Sequence, residues 1–431
     1  MKKVLINPAK IAWKQIVERP AINNRDLQPI VINILKDVKK TGDIAIRKYA
    51  LEFDEVILHD LKVTDTEINE AELLVPAQLK NAIAIATKNI WKFHEAHIEP
   101  LKEIETLPGI KCWRNSVPIE KIGLYIPGGT APLFSTLLML GIPATIAGCK
   151  EIVVCTPAGK NGNIHPVILY VAKLLGIKNI YKAGGSQAIA AMAYGTESIP
   201  KVYKIFGPGN QYVTCAKQLV NAEGTSIDMP AGPSEIAIYA DETATPSYVA
   251  ADLLSQAEHG IDSQVLLVSS SETLAAKIKE EIKLQVNSLP RKDIALQSLH
   301  NSQFVIMHNI DEAFELINTY SPEHLIIASD DADELCKRVV NAGSVFLGHY
   351  SPESAGDYAS GTNHTLPTNG YARSYSGVSI DSFVKKITFQ KLSREGLECI
   401  GDAVETMAEA EGLHAHKYSV GVRRKKNLID K

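Results

Sequence analysis

Two stretches of this sequence place glutamate directly before histidine, and the residues around them differ. The first, SQAEHG, ends at Gly260, and its pattern predicts the end of a helix capped by that glycine. At helical spacing Gln256 and His259 share one face, while Glu258 is turned about 100 degrees from His259. A glutamine and a histidine on one face suit either metal ligation or a plain hydrogen-bonded pair, and the local sequence leaves both open.

The second stretch, SPEHL, lies between a predicted helix and a strand predicted from Leu325. Glu323 and His324 are therefore expected in a loop at the start of that strand, where their side chains can point into a cleft. An adjacent carboxylate and imidazole suit proton transfer, because histidine titrates near neutral pH. An exposed turn pair is the alternative interpretation.

Donor residues elsewhere extend the first stretch into a candidate metal site. Asp357 in ESAGDYASG and His416 in EGLHAHKYSV would join Gln256 and His259. Catalytic zinc uses histidine and carboxylate ligands and keeps an open coordination position, although an amide ligand is unusual. These four residues are the metal-ligand set that the residue types suggest.

A rival pair of histidines lies in WKFHEAHI, where His94 and His97 share a predicted helix face. The pair lacks the second histidine position of HExxH and has no third ligand nearby. We therefore predict that both are surface histidines.

Three glycine-rich segments follow predicted strands: YIPGGTAPLF, KAGGSQAIAAMAYG and IFGPGNQYV. Each is compatible with a tight strand-to-helix turn or with a phosphate held at a helix N-terminus. Because ligands of open α/β sheets lie outside the carboxyl ends of the strands, three such ends in one block favour a nucleotide site.

The elements that must position these residues alternate along the chain. Helical patterns over roughly 27–52 and 66–97 contain no strand signal, whereas short apolar runs alternate with helices from about Lys121 onward and again from Glu235. This predicts an α/β fold with two doubly wound, Rossmann-like parallel-sheet domains plus small N-terminal and C-terminal segments. We expect the early helices to cover the second sheet, so that the first block is an insertion. After Gly348 a Gly- and Ser-rich stretch leaves little room for regular structure, and a last helix is predicted over about 394–411.

Composition excludes several classes of partner. With 45 basic and 49 acidic residues the net charge is -4, which gives no electrostatic reason to expect nucleic acid or an anionic membrane. No signal-peptide core and no apolar stretch of roughly 18 residues occurs. Six scattered cysteines without CxxC spacing suggest reduced thiols, so a cytoplasmic protein is expected and any metal must use other ligands.

Taken together, eight ordered strings closely resemble the histidinol dehydrogenase family, and the resemblance spans about residue 25 to the C-terminus. The strings are GLYIPGGTAPLFST, GGSQAIAA, KIFGPGNQYV, DMPAGPSEI, DLLSQAEHG, SPEHL, SGTNHTLPT and EGLHAH. The family is zinc-dependent and oxidises L-histidinol through the aldehyde to L-histidine, using two NAD per turnover.

Carried onto matching positions, the resemblance implies a role for each candidate residue. Glu323 and His324 become the catalytic acid-base pair, and one zinc per subunit is held by Gln256, His259, Asp357 and His416. The substrate-contacting residues would be Ser234, Gln256, His259, His324, Asp357, Glu411 and His416. The NAD-contacting residues would be Tyr125, Gln187 and Asn210.

In the family the ligand matching His416 comes from the other subunit, so the resemblance implies a homodimer with shared active sites. It assigns an N-terminal helical segment to 1–24, whose role no recognised motif indicates, and a first α/β domain with most of the zinc and catalytic site to 25–124 and 235–378. The inserted NAD-binding domain is 125–234, and the C-terminal helical tail, 379–431, contributes to the partner subunit's site. A zinc-dependent hydrolase and a zinc-stabilised nucleotide-binding scaffold are the alternatives.

Overall fold

In the residues that the structure describes, the strands form two parallel sheets and one small antiparallel sheet. A computed structural model describes residues 4–19, 24–128, 132–230 and 232–424. The strands in these residues are β1 (Leu5–Ile6), β2 (Glu103–Leu107), β3 (Ile110–Pro118), β4 (Lys121–Tyr125), β5 (Glu151–Thr156), β6 (Asn179–Lys182), β7 (Lys204–Phe206), β8 (Ser226–Ile227), β9 (Glu235–Ala240), β10 (Gln264–Ser269), β11 (Gln303–Ile306), β12 (His324–Ala328), β13 (Ser344–Leu347) and β14 (Val384–Leu392).

Helices separate most of these strands. They are α1 (Trp13–Ile16), α2 (Asn24–Thr41), α3 (Asp43–Asp54), α4 (Asp65–Leu74), α5 (Ala77–Glu95), α6 (Phe134–Ala147), α7 (Pro166–Leu174), α8 (Gly185–Tyr194), α9 (Gln211–Ala222), α10 (Pro246–Ala257), α11 (Glu272–Gln285), α12 (Lys292–Asn301), α13 (Ile310–Tyr320), α14 (Ala332–Leu335), α15 (Glu353–Tyr358), α16 (Arg394–Ala410) and α17 (His414–Arg424). None of the helices in the described part of the chain is long and apolar enough to cross a membrane.

The chain forms two compact units, of which the first comprises Met1–Ala96 and Ile119–Phe383. Both parallel sheets belong to it, in the orders β6-β5-β4-β7-β8 and β1-β11-β10-β9-β12-β13. Apart from the short β1, each sheet follows the same order of third, second, first, fourth and fifth strand, which is the Rossmann order without its sixth strand. The predicted α/β fold with two parallel sheets is confirmed.

Both faces of the six-stranded sheet are covered, and the sequence of its strands reflects this. Every residue of EIAIYA in β9 and of QVLLVS in β10 is buried, as expected for parallel strands with helices on both sides. One face packs against α10 and α11, and the other packs against α13 and Trp13.

The helices from α2 to α5 cover the five-stranded sheet, contrary to our expectation that they would cover the other one. Helix α2 packs on α8 and α9, α4 on α7, and α5 on α6. Their apolar faces share two cores with strands β4 to β7. Sequence periodicity shows that a helix has an apolar face but does not say which sheet that face meets. The assignment of 125–234 as a separate inserted domain stays a prediction.

The described part of the N-terminal segment, residues 4–19, is not purely helical. Strand β1 pairs in parallel with β11, placing Leu5 opposite Val305, and so forms one edge of the six-stranded sheet. Trp13 and Ile16 are buried in that sheet's core. Residues 20–23 lie outside the described part of the chain.

The second compact unit comprises His97–Pro118 and Val384–Lys431. Strand β3 pairs antiparallel with both β2 and β14, and Trp113 stacks on Phe389 with ring centroids 5.5 Å apart. These three strands were not predicted, so the C-terminal region is not the helical tail that we expected. The last long helix was predicted, and α16 confirms it.

Candidate active site

The Glu323-His324 pair lies at the amino end of β12 in the six-stranded sheet, next to the amino end of the neighbouring strand β9. Strand β12 pairs with β9 so that His324 is opposite Ile236, which places the pair beside Glu235. Gly343 passes so close that an added Cβ would lie 2.5 Å from the Glu323 carbonyl oxygen, which requires glycine there. The predicted strand start was late by one residue, because β12 already begins at His324.

Both members of the pair are buried, with 5% and 4% of their surfaces exposed, so the exposed-turn alternative is wrong. The backbone of Glu235 contacts each of them. Its N–H donates to Oε2 of Glu323 over 3.0 Å, and its carbonyl oxygen lies 3.4 Å from Nδ1 of His324. The two side chains are thus held by one residue of the neighbouring strand.

The His324 imidazole lies between two carboxylates of the short helix α15. Its Nδ1 is 3.3 Å from Oε1 of Glu353, and its Nε2 is 3.6 Å from Oδ1 of Asp357. Asp357 was predicted as a site residue, but Glu353 was not, because α15 falls in a segment that we expected to lack regular structure. The signal that was available is the i, i+4 spacing of Glu353 and Asp357 in ESAGD.

Burial and charge together set the protonation of this pair. Burial raises the pKa of Glu323 to about 8, although the neighbouring imidazole opposes the shift. Burial by itself disfavours the charged form of His324, but the carboxylates of Glu353 and Glu323 outweigh it and raise the pKa of His324 to about 10. The site therefore favours a positive charge at its centre.

Two of the predicted metal ligands, His259 and Asp357, belong to one cluster of donor atoms. Donor atoms of His259, Glu353 and Asp357 all lie within 4.8 Å of one another. Both amide atoms of Gln256 are buried without a hydrogen-bond partner, as are Nε2 of His324 and Oε2 of Glu353. Unpaired buried polar atoms are costly, so this set of oxygen and nitrogen donors fits a divalent cation.

The helix that carries Gln256 ends earlier than the sequence predicted. Helix α10 ends at Ala257, and a hydrogen bond of 3.3 Å from the backbone N–H of His259 to the carbonyl of Gln256 continues it as a tight turn. The prediction that Gly260 caps this helix was therefore wrong. His259 itself reaches solvent, which leaves the cluster open on that side.

The remaining predicted residues of the substrate site are distributed over both compact units. Ser234 is half-buried and directly precedes β9 in the first unit. Glu411 and His416 belong to the second unit and are exposed, with His416 on α17. Their assignment to a shared site stays a prediction.

The rival histidines differ from each other. His94 is buried, with 1% of its surface exposed, and its Nε2 lies 3.4 Å from Nδ2 of Asn363. Our prediction of two surface histidines was therefore wrong for His94, which belongs to the packed interior. His97 is exposed, as predicted.

A second site lies in the first unit, at the carboxyl ends of strands in the five-stranded sheet. A cavity of about 1040 Å³ is lined by Tyr125, Gln187 and Asn210, the three residues predicted to contact NAD. Its size is typical of a pocket for a large cofactor. Residues 129–131 of the first glycine-rich segment lie outside the described residues.

Hydrogen bonds fix two of these three residues, Tyr125 and Asn210. The backbone N–H of Gly185 at the start of α8 donates to the Tyr125 hydroxyl over 3.1 Å, and Asn210 caps α9 by accepting from Tyr212 and Val213. The amide oxygen of Gln187 is buried without a partner. Gly207 has φ +126°, and an added Cβ would overlap the Tyr125 carbonyl, so glycine lets β4 and β7 approach at the point where the strand order reverses.

A Rossmann-type cavity, a buried Glu-His pair and a cluster of candidate cation ligands are together typical of a nicotinamide-dependent oxidoreductase. The comparisons agree, since residues 17–424 match the model of the family described as histidinol dehydrogenase. The histidinol dehydrogenase of Bacteroides thetaiotaomicron is 57% identical over 423 residues, covering 98% of this chain and 99% of the relative. That of Escherichia coli is 48% identical over 413 residues, covering 95% and 94%.

A solved structure gives the same result. The crystal structure of histidinol dehydrogenase from Elizabethkingia anophelis matches with a TM-score of 0.96 and 55% sequence identity, covering 98% of each chain. The chain belongs to the histidinol dehydrogenase family. Family membership makes it an NAD-dependent oxidoreductase of histidine biosynthesis and does not favour the hydrolase alternative.

Proposed function

We propose that this protein oxidises L-histidinol through L-histidinal to L-histidine with two NAD per turnover, at a site with one zinc ion per subunit. The zinc ligands are Gln256, His259 and Asp357 together with His416 from a second copy of the chain. The observation that carries the proposal is the buried Glu323-His324 pair, whose imidazole lies 3.6 Å from Asp357, a member of the same donor cluster as His259.

When bound, zinc supplies a positive template that orients the amine and imidazole of the substrate. Glu353 could also hold such an ion, since its carboxylate belongs to the same donor cluster as His259 and Asp357. Its contact with Nδ1 of His324 supports a role in orienting the imidazole instead, and the four ligands named above remain our assignment.

His324 takes the alcohol proton as hydride leaves the substrate carbon for NAD. Its Nδ1 faces two acceptors, the Glu353 carboxylate and the Glu235 carbonyl, so that nitrogen carries the ring proton. Its Nε2 has no hydrogen-bond partner and is the free base. The same carboxylates favour a positive charge on the ring, and a cation bound beside them would supply that charge and leave His324 in the neutral form that a general base requires.

Glu323 activates water in the second half of the reaction. The aldehyde must be hydrated before a second hydride can leave, and a base has to remove a proton from the attacking water. A carboxyl whose pKa is raised to about 8 can both take and return a proton near neutral pH. The two bases thereby divide a four-electron oxidation between them.

Binding of NAD and assembly of the site involve the other predicted residues. Tyr125, Gln187 and Asn210 contact the dinucleotide in the cavity of the 125–234 region. Ser234 and Glu411 contact the substrate. We place the enzyme in the cytoplasm, which agrees with its six unpaired cysteines. We also propose that it is a homodimer.

The test is NADH formation from histidinol before and after removal of metal with a chelator. We expect loss of turnover on chelation, recovery with zinc, and a thermal unfolding transition that remains cooperative, because the four hydrophobic cores include none of the proposed ligands. Full turnover by the metal-free protein would contradict the zinc site. Unfolding on chelation without turnover before it would favour the scaffold alternative.

A further inference from the structure

Arg19, in the N-terminal segment that carries no recognised motif, forms a buried ion pair with Glu235. Its Nη2 donates to Oε1 of Glu235 over 2.7 Å, and its Nε donates to the other carboxylate oxygen. The side chains are 13% and 2% exposed. This bidentate geometry fixes both the position and the orientation of the Glu235 carboxylate.

The same guanidinium also contacts the chain that leads into the catalytic pair. Nη2 of Arg19 donates to the carbonyl of Tyr320 over 2.6 Å, and its Cζ lies 4.2 Å from the centre of the Tyr320 ring. Tyr320 ends α13, and Ser321 then adopts the left-handed conformation with φ 53° before Pro322 and Glu323. Arg19 thus contacts the turn that connects the end of α13 to Glu323.

Glu235, the partner of Arg19 in the ion pair, contacts both proposed bases through its backbone. Its backbone N–H donates to Glu323, and its carbonyl faces Nδ1 of His324. Arg19 therefore joins the two chain segments whose relative position sets both bases, the end of α13 and the start of β9. A shift of either segment would move Glu323 relative to His324.

Docking of the N-terminal segment does not depend on this ion pair. Strand β1 pairs with β11, Trp13 is buried, and Lys10 makes an exposed ion pair with Glu315 at 2.6 Å. A buried ion pair is a weak source of stability, because dehydration of both charges offsets their attraction. Burial raises the pKa of Glu235 while Arg19 opposes that shift, so the carboxylate needs its partner. A positional role accounts for the pair better than a stabilising one.

We propose that Arg19 and Glu235 are positioning residues that align Glu323 and His324 for proton transfer. This inference rests on the proposed acid-base roles of those two residues. It gives residues 4–19 a function in catalysis, although none of them is assigned to contact substrate or NAD.

The test compares full-length, zinc-loaded Arg19→Met, Arg19→Lys and Glu235→Gln with Lys10→Met as the matched control from the same segment. Each is assayed for kcat and KM with histidinol, zinc per subunit and melting temperature. We expect Arg19→Met to lower kcat about 10- to 100-fold, as loss of an orienting contact does, with KM changed less than about 3-fold and zinc retained. Arg19→Lys keeps the positive charge but cannot donate to both carboxylate oxygens in the same way, so its kcat should lie between those of Arg19→Met and the wild type. Lys10→Met should match the wild type.

A coupling measurement adds a readout that a stabilising role would not produce. If Arg19 acts through Glu235, the Arg19→Met, Glu235→Gln double variant should lose no more kcat than the more affected single variant. Losses of kcat that multiply in the double variant would overturn the proposal.

The remaining outcomes are also decisive. A wild-type kcat per zinc-loaded subunit in Arg19→Met, with only a lower melting temperature, would overturn the positional role. If Arg19→Met does not fold, Arg19→Lys decides by the same comparison of kcat. Failure of the proposed function shows separately, as absence of histidinol-dependent NADH formation in the wild type or as full activity in Glu323→Gln.

Discussion

Nδ1 of His324 lies 3.3 Å from Oε1 of Glu353, and both side chains are buried. A carboxylate in this position favours the tautomer that carries its proton on Nδ1 and leaves Nε2 free to act as a base. The relation is that of an orienting carboxylate behind the imidazole that we propose as the base.

Replacement of Glu353 by glutamine tests this relation. Glu353→Gln keeps the size of the side chain and removes its charge, so we expect kcat with histidinol to fall about 10- to 100-fold. Zinc per subunit should stay at the wild-type level, because all four proposed ligands remain. Exposed Glu334, which pairs with Lys337, provides the matched control Glu334→Gln. Loss of zinc from Glu353→Gln would instead make Glu353 a ligand.

Glu323 and His324 are expected to serve different steps. Glu323→Gln should slow oxidation of histidinal far more than oxidation of histidinol to histidinal, because only the second step needs activated water. General acid-base groups contribute roughly 10²- to 10⁴-fold, which sets the scale of the loss. Single-turnover rates of NADH formation with each substrate measure the two steps separately. Equal losses with both substrates would contradict this division of roles.

Local patterns predicted most of the fold. Strands buried on both faces are short, continuous apolar runs, so EIAIYA and QVLLVS are recognisable without any structure. The rule that ligands lie at carboxyl ends of strands also located the cavity beside Tyr125. The catalytic pair does not obey that rule, since it lies at the amino ends of β9 and β12.

Contacts between distant parts of the chain could not be predicted in the same way. Arg19 and Glu235 are 216 positions apart, and nothing in the sequence near either residue indicates the other. Glu353 was missed because a helix of six residues inside a Gly- and Ser-rich stretch has too few turns to show periodicity. The strands of the second unit were missed because exposed strands such as β2 lack an apolar run.

Tyr125 offers a test of the cofactor cavity. Burial raises the pKa of Tyr125 to about 12, so its hydroxyl stays neutral throughout the range from pH 6 to about 10. Tyr125→Phe removes the acceptor for the Gly185 N–H and should raise KM for NAD roughly 2- to 10-fold, the equivalent of one hydrogen bond. The ratio of variant to wild-type KM should not change with pH in that range.

The control for this variant is Tyr181→Phe. Tyr181 is buried in β6, which β5 separates from β4, and its pKa is also raised to about 12, but it does not line the cavity. We expect its KM for NAD to equal that of the wild type. An unchanged KM in Tyr125→Phe would place NAD elsewhere.

His416 tests whether the active site is shared between two copies of the chain. His416→Asn should lose zinc and turnover, whereas His414→Asn, which changes another exposed histidine of the same helix α17, should retain both.

Because the ligand is proposed to come from a second copy, mixing His416→Asn with an inactive His259→Asn variant should restore activity. In a mixed dimer one site receives His259 and His416 from different chains and is intact, while the other lacks both. After random exchange of equal amounts, half of the dimers are mixed, so activity should recover to about one quarter of the wild-type level. Zinc analysis and NADH formation before and after subunit exchange measure this, and no recovery in verified mixed dimers would indicate that each chain builds its own site.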